Sequence, residues 1–173
     1  MRRYFLPLLM LTVLFATGCQ PKVNVEKEKE AILAVIEEEA RGFETMDKER
    51  VYATHIQDSD EMRLELGVYG YRFYDGWEQI DELLGDYMDG NQTSDIRVSK
   101  ENVNIKVHGI SAWLTCDNVV QWGSGDEADG YSNIQINFLE KVNGQWLIAF
   151  SAYYSKPVEV PGIDESFSGT DGL

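Results

Sequence analysis

The pattern around Asn143-Gly144 limits what this chain can fold into more than any other part of it. Asn and Gly tolerate the positive φ that tight hairpin turns demand. Before the turn, Ile134, Ile136 and Phe138 alternate with Asn133, Gln135 and Asn137; after it, Trp146, Ile148 and Phe150 alternate with Leu147, Ala149 and Ser151. Both arms read as strands. A two-residue loop would pair Phe138 with Ala149 and divide the bulky set between the two faces. A three-residue loop with Gly144 in a bulge gathers Ile134, Ile136, Phe138, Trp146, Ile148 and Phe150 on one face. Asn133, Gln135, Asn137, Ser151 and Tyr153 then form the opposite face. The pattern predicts an apolar core face and a polar face that meets water or a partner chain.

The chain begins with Arg2 and Arg3, an apolar run over 4–15, and the small residues Ala16-Thr17-Gly18 before Cys19. This is a secretory signal pattern rather than a spanning helix. The run Ala16-Thr17-Gly18-Cys19 resembles the bacterial lipobox, although Ala16 stands where Leu is more usual. The resemblance implies cleavage after residue 18, diacylation of Cys19 and attachment to the cell envelope, facing periplasm or exterior. Removing two of the 15 basic residues leaves 13 against 30 acidic ones, a net charge of -17. Such a surface argues against a nucleic-acid partner and attracts no anionic lipid, so lipid on Cys19 is the expected membrane attachment. Only Cys116 then remains, and the mature chain has no internal disulfide.

The expected organisation is a signal over 1–18, a lipidated cysteine and tether over 19–25, one domain over 26–156 and a flexible acidic tail over 157–173. Ile32, Val35, Ile36, Ala40, Phe43 and Met46 have the spacing of an amphipathic helix. Glu39 projects into the middle of that apolar set. It is either solvated where the helix leaves the core or turned into the core. In the core it has a raised pKa if isolated, but not if it pairs with Arg63 or His55. Asp47 caps a second helix from residue 48 to about 56, with Tyr52, His55 and Ile56 on one face. A strand containing Met62, Leu64, Leu66 and Val68 follows. A third helix presents Trp77, Ile80, Leu84, Tyr87 and Met88 and stops at Gly90. Trp77 and Tyr87 suit a core, or the edge of a cavity.

From residue 96 the chain reads as strand. Parity slips between Lys100 and Asn102, which predicts a bulge. His108-Gly109 makes a turn, and Ala112, Leu114, Cys116, Val120 and Trp122 share an apolar face. His55 and His108 have no metal-ligand spacing, and neither metal nor cofactor is expected.

Gly76-Trp77-Glu78-Gln79-Ile80, Ala112-Trp113-Leu114-Thr115, and Leu139-Glu140-Lys141 through Asn143-Gly144-Gln145-Trp146-Leu147-Ile148, in this order, resemble the nuclear transport factor 2-like superfamily, especially its SnoaL-like bacterial members. The resemblance spans roughly residues 26–155. It implies an α+β domain, a cone-shaped curved antiparallel sheet packed by three N-terminal helices, with a pocket at the mouth. Several members place His after the Trp-x-Ile segment, where this chain has Phe150, Ser151 and Ala152. Glu39 stands near the oxyanion-binding Tyr of ketosteroid isomerases, and Arg63 near their basic Asp, which disfavours that reaction.

These readings favour a non-catalytic envelope lipoprotein that uses the cone for a small apolar or amphipathic ligand, or the sheet for a homodimer. The ligand-binding candidates are Glu39, Tyr52, His55, Trp77, Tyr87 and Trp122. One alternative is a lyase, isomerase or cyclase using Glu39 with His55 or Asp117. A purely protein-binding lipoprotein is the other. Intact-mass analysis and cell fractionation check the anchor: diacylated Cys19 in the membrane fraction is the expected result, with release in Cys19→Ser. Unmodified Cys19 in a soluble wild-type protein would refute it.

Overall fold

The computed structural model describes residues 24–90, 96–123 and 129–155. Cys19 and the acidic tail over 157–173 lie outside them. Helix α1 (Val25–Thr45) starts at an Asn24 cap whose side chain accepts from Lys27 N, and ends where Met46 turns left-handed. Helix α2 (Lys48–Tyr52) starts at the expected Asp47 cap but is one turn long. The chain then leaves the helical path, and His55 bridges in parallel to Ile148. Strands β1 (Met62–Gly67) and β2 (Gly70–Asp75) form a hairpin, followed by α3 (Trp77–Gly90). Strands β3 (Arg97–His108), β4 (Ser111–Trp122), β5 (Asp129–Val142) and β6 (Gln145–Ser155) complete one sheet in the order β2-β1-β6-β5-β4-β3.

The pairings are antiparallel except that of β1 with β6, which is parallel. The aromatic-rich β1–β2 hairpin thus joins the end of the four-strand meander, and α3 follows that hairpin rather than preceding the whole sheet. The predicted irregularity in β3 is present: register shifts between Glu101 and Asn104, and Asn102 adopts φ 51°.

The central hairpin differs from expectation. Val142 pairs with Gln145, so the loop is two residues, with Asn143 and Gly144 both at positive φ as a type I′ turn requires. The bulge lies inside β6 instead. Leu139 pairs with Ile148 and Phe138 with Phe150, which leaves Ala149 unpaired. One extra residue reverses which parity points inward. Trp146 and Ile148 face the core on one side of the bulge; Ser151 and the half-buried Tyr153 face inward on the other. The bulky apolar set is therefore split after all.

On β5, Asn133, Gln135, Asn137 and Leu139 are buried, whereas Ile134, Ile136 and Phe138 are only half-buried on the outer face. The polar face is the interior, not the surface offered to water or a partner. The reason is what covers it: α1 packs over this side of the sheet, and Glu39 on that helix needs polar partners.

Two apolar clusters flank the polar layer. Ile32 and Ile36 pack on Ala112, Leu114, Leu139, Trp146 and Ile148. Val51, Ile80, Leu84 and Met88 pack together beneath Phe43 and Trp77. Among the described residues no helix is long and apolar enough to cross a membrane.

Candidate functional site

Glu39 lies one helical turn beyond Ile36 on the inward face of α1, and its side chain is 0% exposed. A carboxylate taken out of water must be paired and hydrogen-bonded. Its Oε2 accepts from Gln135 Nε2 at 3.2 Å and faces Lys100 Nζ at 4.0 Å. Its Oε1 accepts from the Tyr153 hydroxyl at 3.3 Å and lies 3.6 Å from His55 Nε2. Nδ1 of the same imidazole contacts the Glu61 carboxylate, whose Oε2 accepts from Gln57 N at 2.9 Å.

Lys100 extends the network toward the wide end of the fold. Its Nζ donates to Gln135 Oε1 at 2.6 Å and to Asn118 Oδ1 at 2.9 Å, and Asn118 Nδ2 donates to Asn133 Oδ1 at 3.1 Å. Arg63 lies over the Tyr153 ring, 4.4 Å from its centroid, and its Nε and Nη2 each stand 3.2 Å from Glu65 Oε1.

These neighbours set the ionisation states. Burial pushes the Glu39 carboxyl up, but His55, Lys100 and Arg63 together outweigh it and hold it at about 2. Burial pushes His55 down, and Glu39 and Glu61 raise it above its ordinary value. Lys100 is lowered by burial, which Glu39 only partly offsets. Burial and the adjacent Glu39 raise the Tyr153 phenol, so it remains a donor. Glu39 is thus a settled anion at neutral pH, and so low a pKa makes it a weak proton acceptor.

A cavity of about 620 Å³ opens at the wide end, between α3, the β1–β2 hairpin and the sheet. Phe43, Tyr69, Tyr71, Tyr87 and Tyr131 contribute aromatic surface, and Leu83, Leu84, Val98 and Val120 aliphatic surface. Arg63, Lys100, Asn118, Asn133 and Tyr153 supply its polar part.

This arrangement of helices and one six-stranded sheet has counterparts among solved structures. A nuclear transport factor 2-like superfamily protein from Salmonella enterica serovar Typhimurium superposes with a TM-score of 0.64 at 17% identity, over 81% of this chain and 99% of that one. This chain has the nuclear transport factor 2-like fold. A candidate dehydratase of the nuclear transport factor 2-like family from Streptomyces avermitilis shares that fold at 0.64 and 13% identity, covering 77% and 99% of the two chains. The association domain of CaMKII from C. elegans does so at 0.63 and 18% identity, covering 75% and 97%. No family model matches the sequence, and no curated protein does.

Within this fold the residues singled out from sequence do not share one site. Tyr87 lines the cavity. Glu39 and His55 meet one layer behind its polar part and do not line it. Tyr52 packs edge-on to Trp77 with ring centroids 4.8 Å apart, and His55 lies 5.6 Å from the same indole, so all three belong to the packing around α3. Trp122, at the end of β4, lies tilted against Tyr131 with ring centroids 6.0 Å apart, without lining the cavity itself. Asp117 points to the outer face, where its carboxylate accepts from Asn102 Nδ2 at 2.7 Å, and it does not converge with Glu39 and His55.

Lys100, Asn118, Asn133, Gln135 and Tyr153 were absent from the sequence candidates. Lys100 and Asn118 were legible from parity, since they share their faces with Val98 and with Cys116 and Val120. The other three depend on the bulge and on which sheet face α1 covers.

The network fixes the sign of a pH test. A depressed carboxylate pKa stabilises the fold above the unfolded value near 4.3, and that contribution is lost as pH falls toward the folded value. The solvated and isolated-acid expectations for Glu39 are both overturned, and of the alternatives the pairing with His55 is the one found. At pH 7 Glu39→Gln should cost about 3 kcal/mol in urea unfolding, because it leaves buried Lys100 without its counter-charge and His55 with Glu61 alone. The deficit should shrink as pH drops below about 4.5. Equal stability at pH 7 would contradict this account.

Proposed function

We propose that this protein is a non-catalytic, lipid-anchored envelope protein whose cone holds a small apolar or amphipathic ligand. The observation that carries this reading is the cavity of about 620 Å³, a size typical of small-molecule sites, with aromatic walls and a few grouped polar side chains. Glu39 and His55, the acid-base pair a lyase or isomerase would need, are engaged with one another and with Glu61 behind that surface.

Anchorage fits the same picture. At the start of α1, Glu28 accepts from Lys141 Nζ and Trp146 Nε1, beside the 143–144 turn at the narrow end. At its other end Phe43 lines the cavity, and 21 residues of helix span about 31 Å. A tether ending in Cys19 would hold the narrow end toward the bilayer and open the mouth to the aqueous side.

The neutral dye N-phenyl-1-naphthylamine tests the pocket by its fluorescence on binding. Wild type should bind it saturably, and Val98→Trp, which projects bulk into the cavity, should weaken binding by about tenfold or more, or 1.4 kcal/mol. Equal binding by both proteins would remove the pocket from the account.

Self-association is the second role, and the outer sheet face is its seat. Trp113 (46% exposed), Phe73 (48%) and Tyr154 (41%) stand there with the half-buried Ile134, Ile136 and Phe138. An apolar face of this extent is what a second copy would cover. The similarity in fold to an association domain agrees with that arrangement. Sedimentation should show a wild-type dimer and a Trp113→Glu monomer. A wild-type monomer at high protein concentration would exclude this role.

A further inference from the structure

The cavity reverses the charge balance of the chain. The sequence carries 30 acidic and 15 basic residues. Among the described residues, the cavity lining carries Arg63, Arg72 and Lys100 against one carboxylate, Glu65. Two of those cations are withdrawn from solvent: the Arg63 side chain is 11% exposed and that of Lys100 6%. Burying charge is costly, and a cavity made only for apolar molecules has no need of it.

The donors of Arg63 are unequally used. Nε and Nη2 both address the single oxygen Glu65 Oε1, and the guanidinium carbon lies over the Tyr153 ring, 4.4 Å from its centroid. Nη1 is buried and finds no acceptor among the described residues. Lys100 spends two donors on Gln135 and Asn118, and its remaining one faces Glu39 at 4.0 Å, beyond hydrogen-bond length. A buried donor without an acceptor costs on the order of 1–3 kcal/mol, which an acceptor entering the cavity would relieve.

We infer that the cavity selects amphipathic carboxylates, with the carboxylate received at Arg63 Nη1 beside Lys100 and the apolar body among Tyr69, Tyr71 and Tyr87. This rests on the ligand-binding reading above and specifies its chemistry. A guanidinium edge matches a carboxylate in plane and charge, whereas a phosphate would ask for more free donors than this group offers. The electrostatic roles then divide. Glu39 faces Lys100 from behind at 4.0 Å, and Arg63 holds the buried donor that lacks an acceptor among the described residues.

The test uses the full chain in phosphatidylcholine nanodiscs, with empty nanodiscs subtracted. Three probes with the same phenylpropyl skeleton, 3-phenylpropionate, its isosteric amide 3-phenylpropionamide and the cation 3-phenylpropylamine, compete with N-phenyl-1-naphthylamine. The carboxylate should compete about tenfold better than the amide, and the amine should be the weakest. R63Q, verified as folded by its melting curve, should bring the carboxylate to within about threefold of the amide. If R63Q does not fold, the wild-type series decides alone. Equal competition by the three probes, or none from the carboxylate, while the dye still binds, would overturn the carboxylate inference and leave the pocket standing. Absence of dye binding by wild type would overturn both.

Discussion

A single buried carboxylate governs the middle of this molecule. Glu39 sits in a helix face that is otherwise apolar, and the cost of taking an anion out of water can be met only by groups that charge-pair and hydrogen-bond to it. Lys100 from β3, Gln135 from β5, Tyr153 from β6 and His55 from the segment after α2 all converge on it. Four separate parts of the chain are thereby held in one arrangement around one side chain. The polar residues that look like surface in the β5 and β6 pattern are interior for this reason.

The Ala149 bulge makes the arrangement sterically attainable. Without it, Phe150 and Tyr154 would point inward, and Ser151 and Tyr153 outward. With it, β6 presents Trp146 and Ile148 to the apolar cluster and Tyr153 to the carboxylate. The cone is accordingly graded along its axis: hydrophobic at the narrow end, ionic in the middle and open at the wide end. Glu39 keeps Lys100 compensated, and this is why a lysine can stand so little exposed beside a cavity.

The elements, and the fold they resemble, were legible in the sequence because local chemistry sets them. Asp47 announces a helix start, Asn143-Gly144 a tight turn, and the slip near Lys100 a bulge. Each of these depends on residues only a few positions apart. The hairpin misreading arose from the same locality. Two-residue and three-residue loops each give a self-consistent alternation, and grouping large apolar side chains looked cheaper than splitting them. The chain splits them, placing Ile134, Ile136 and Phe138 on the outer face, because the inner face is already committed to Glu39.

By itself the sequence determined the helices and strands, the acidic balance, the anomalous position of Glu39 and the expectation of an anchored Cys19. Those follow from periodicity, composition and short motifs. Only the tertiary structure decided which sheet face lies inside, that β1 runs parallel to β6, that Asp117 stands apart from Glu39, and that Arg63 and Lys100 share a cavity. Residues as distant as 39, 63, 100, 135 and 153 become neighbours through strand order and one bulge. Alternation along a strand defines two faces, but packing against the helix determines which of them is buried.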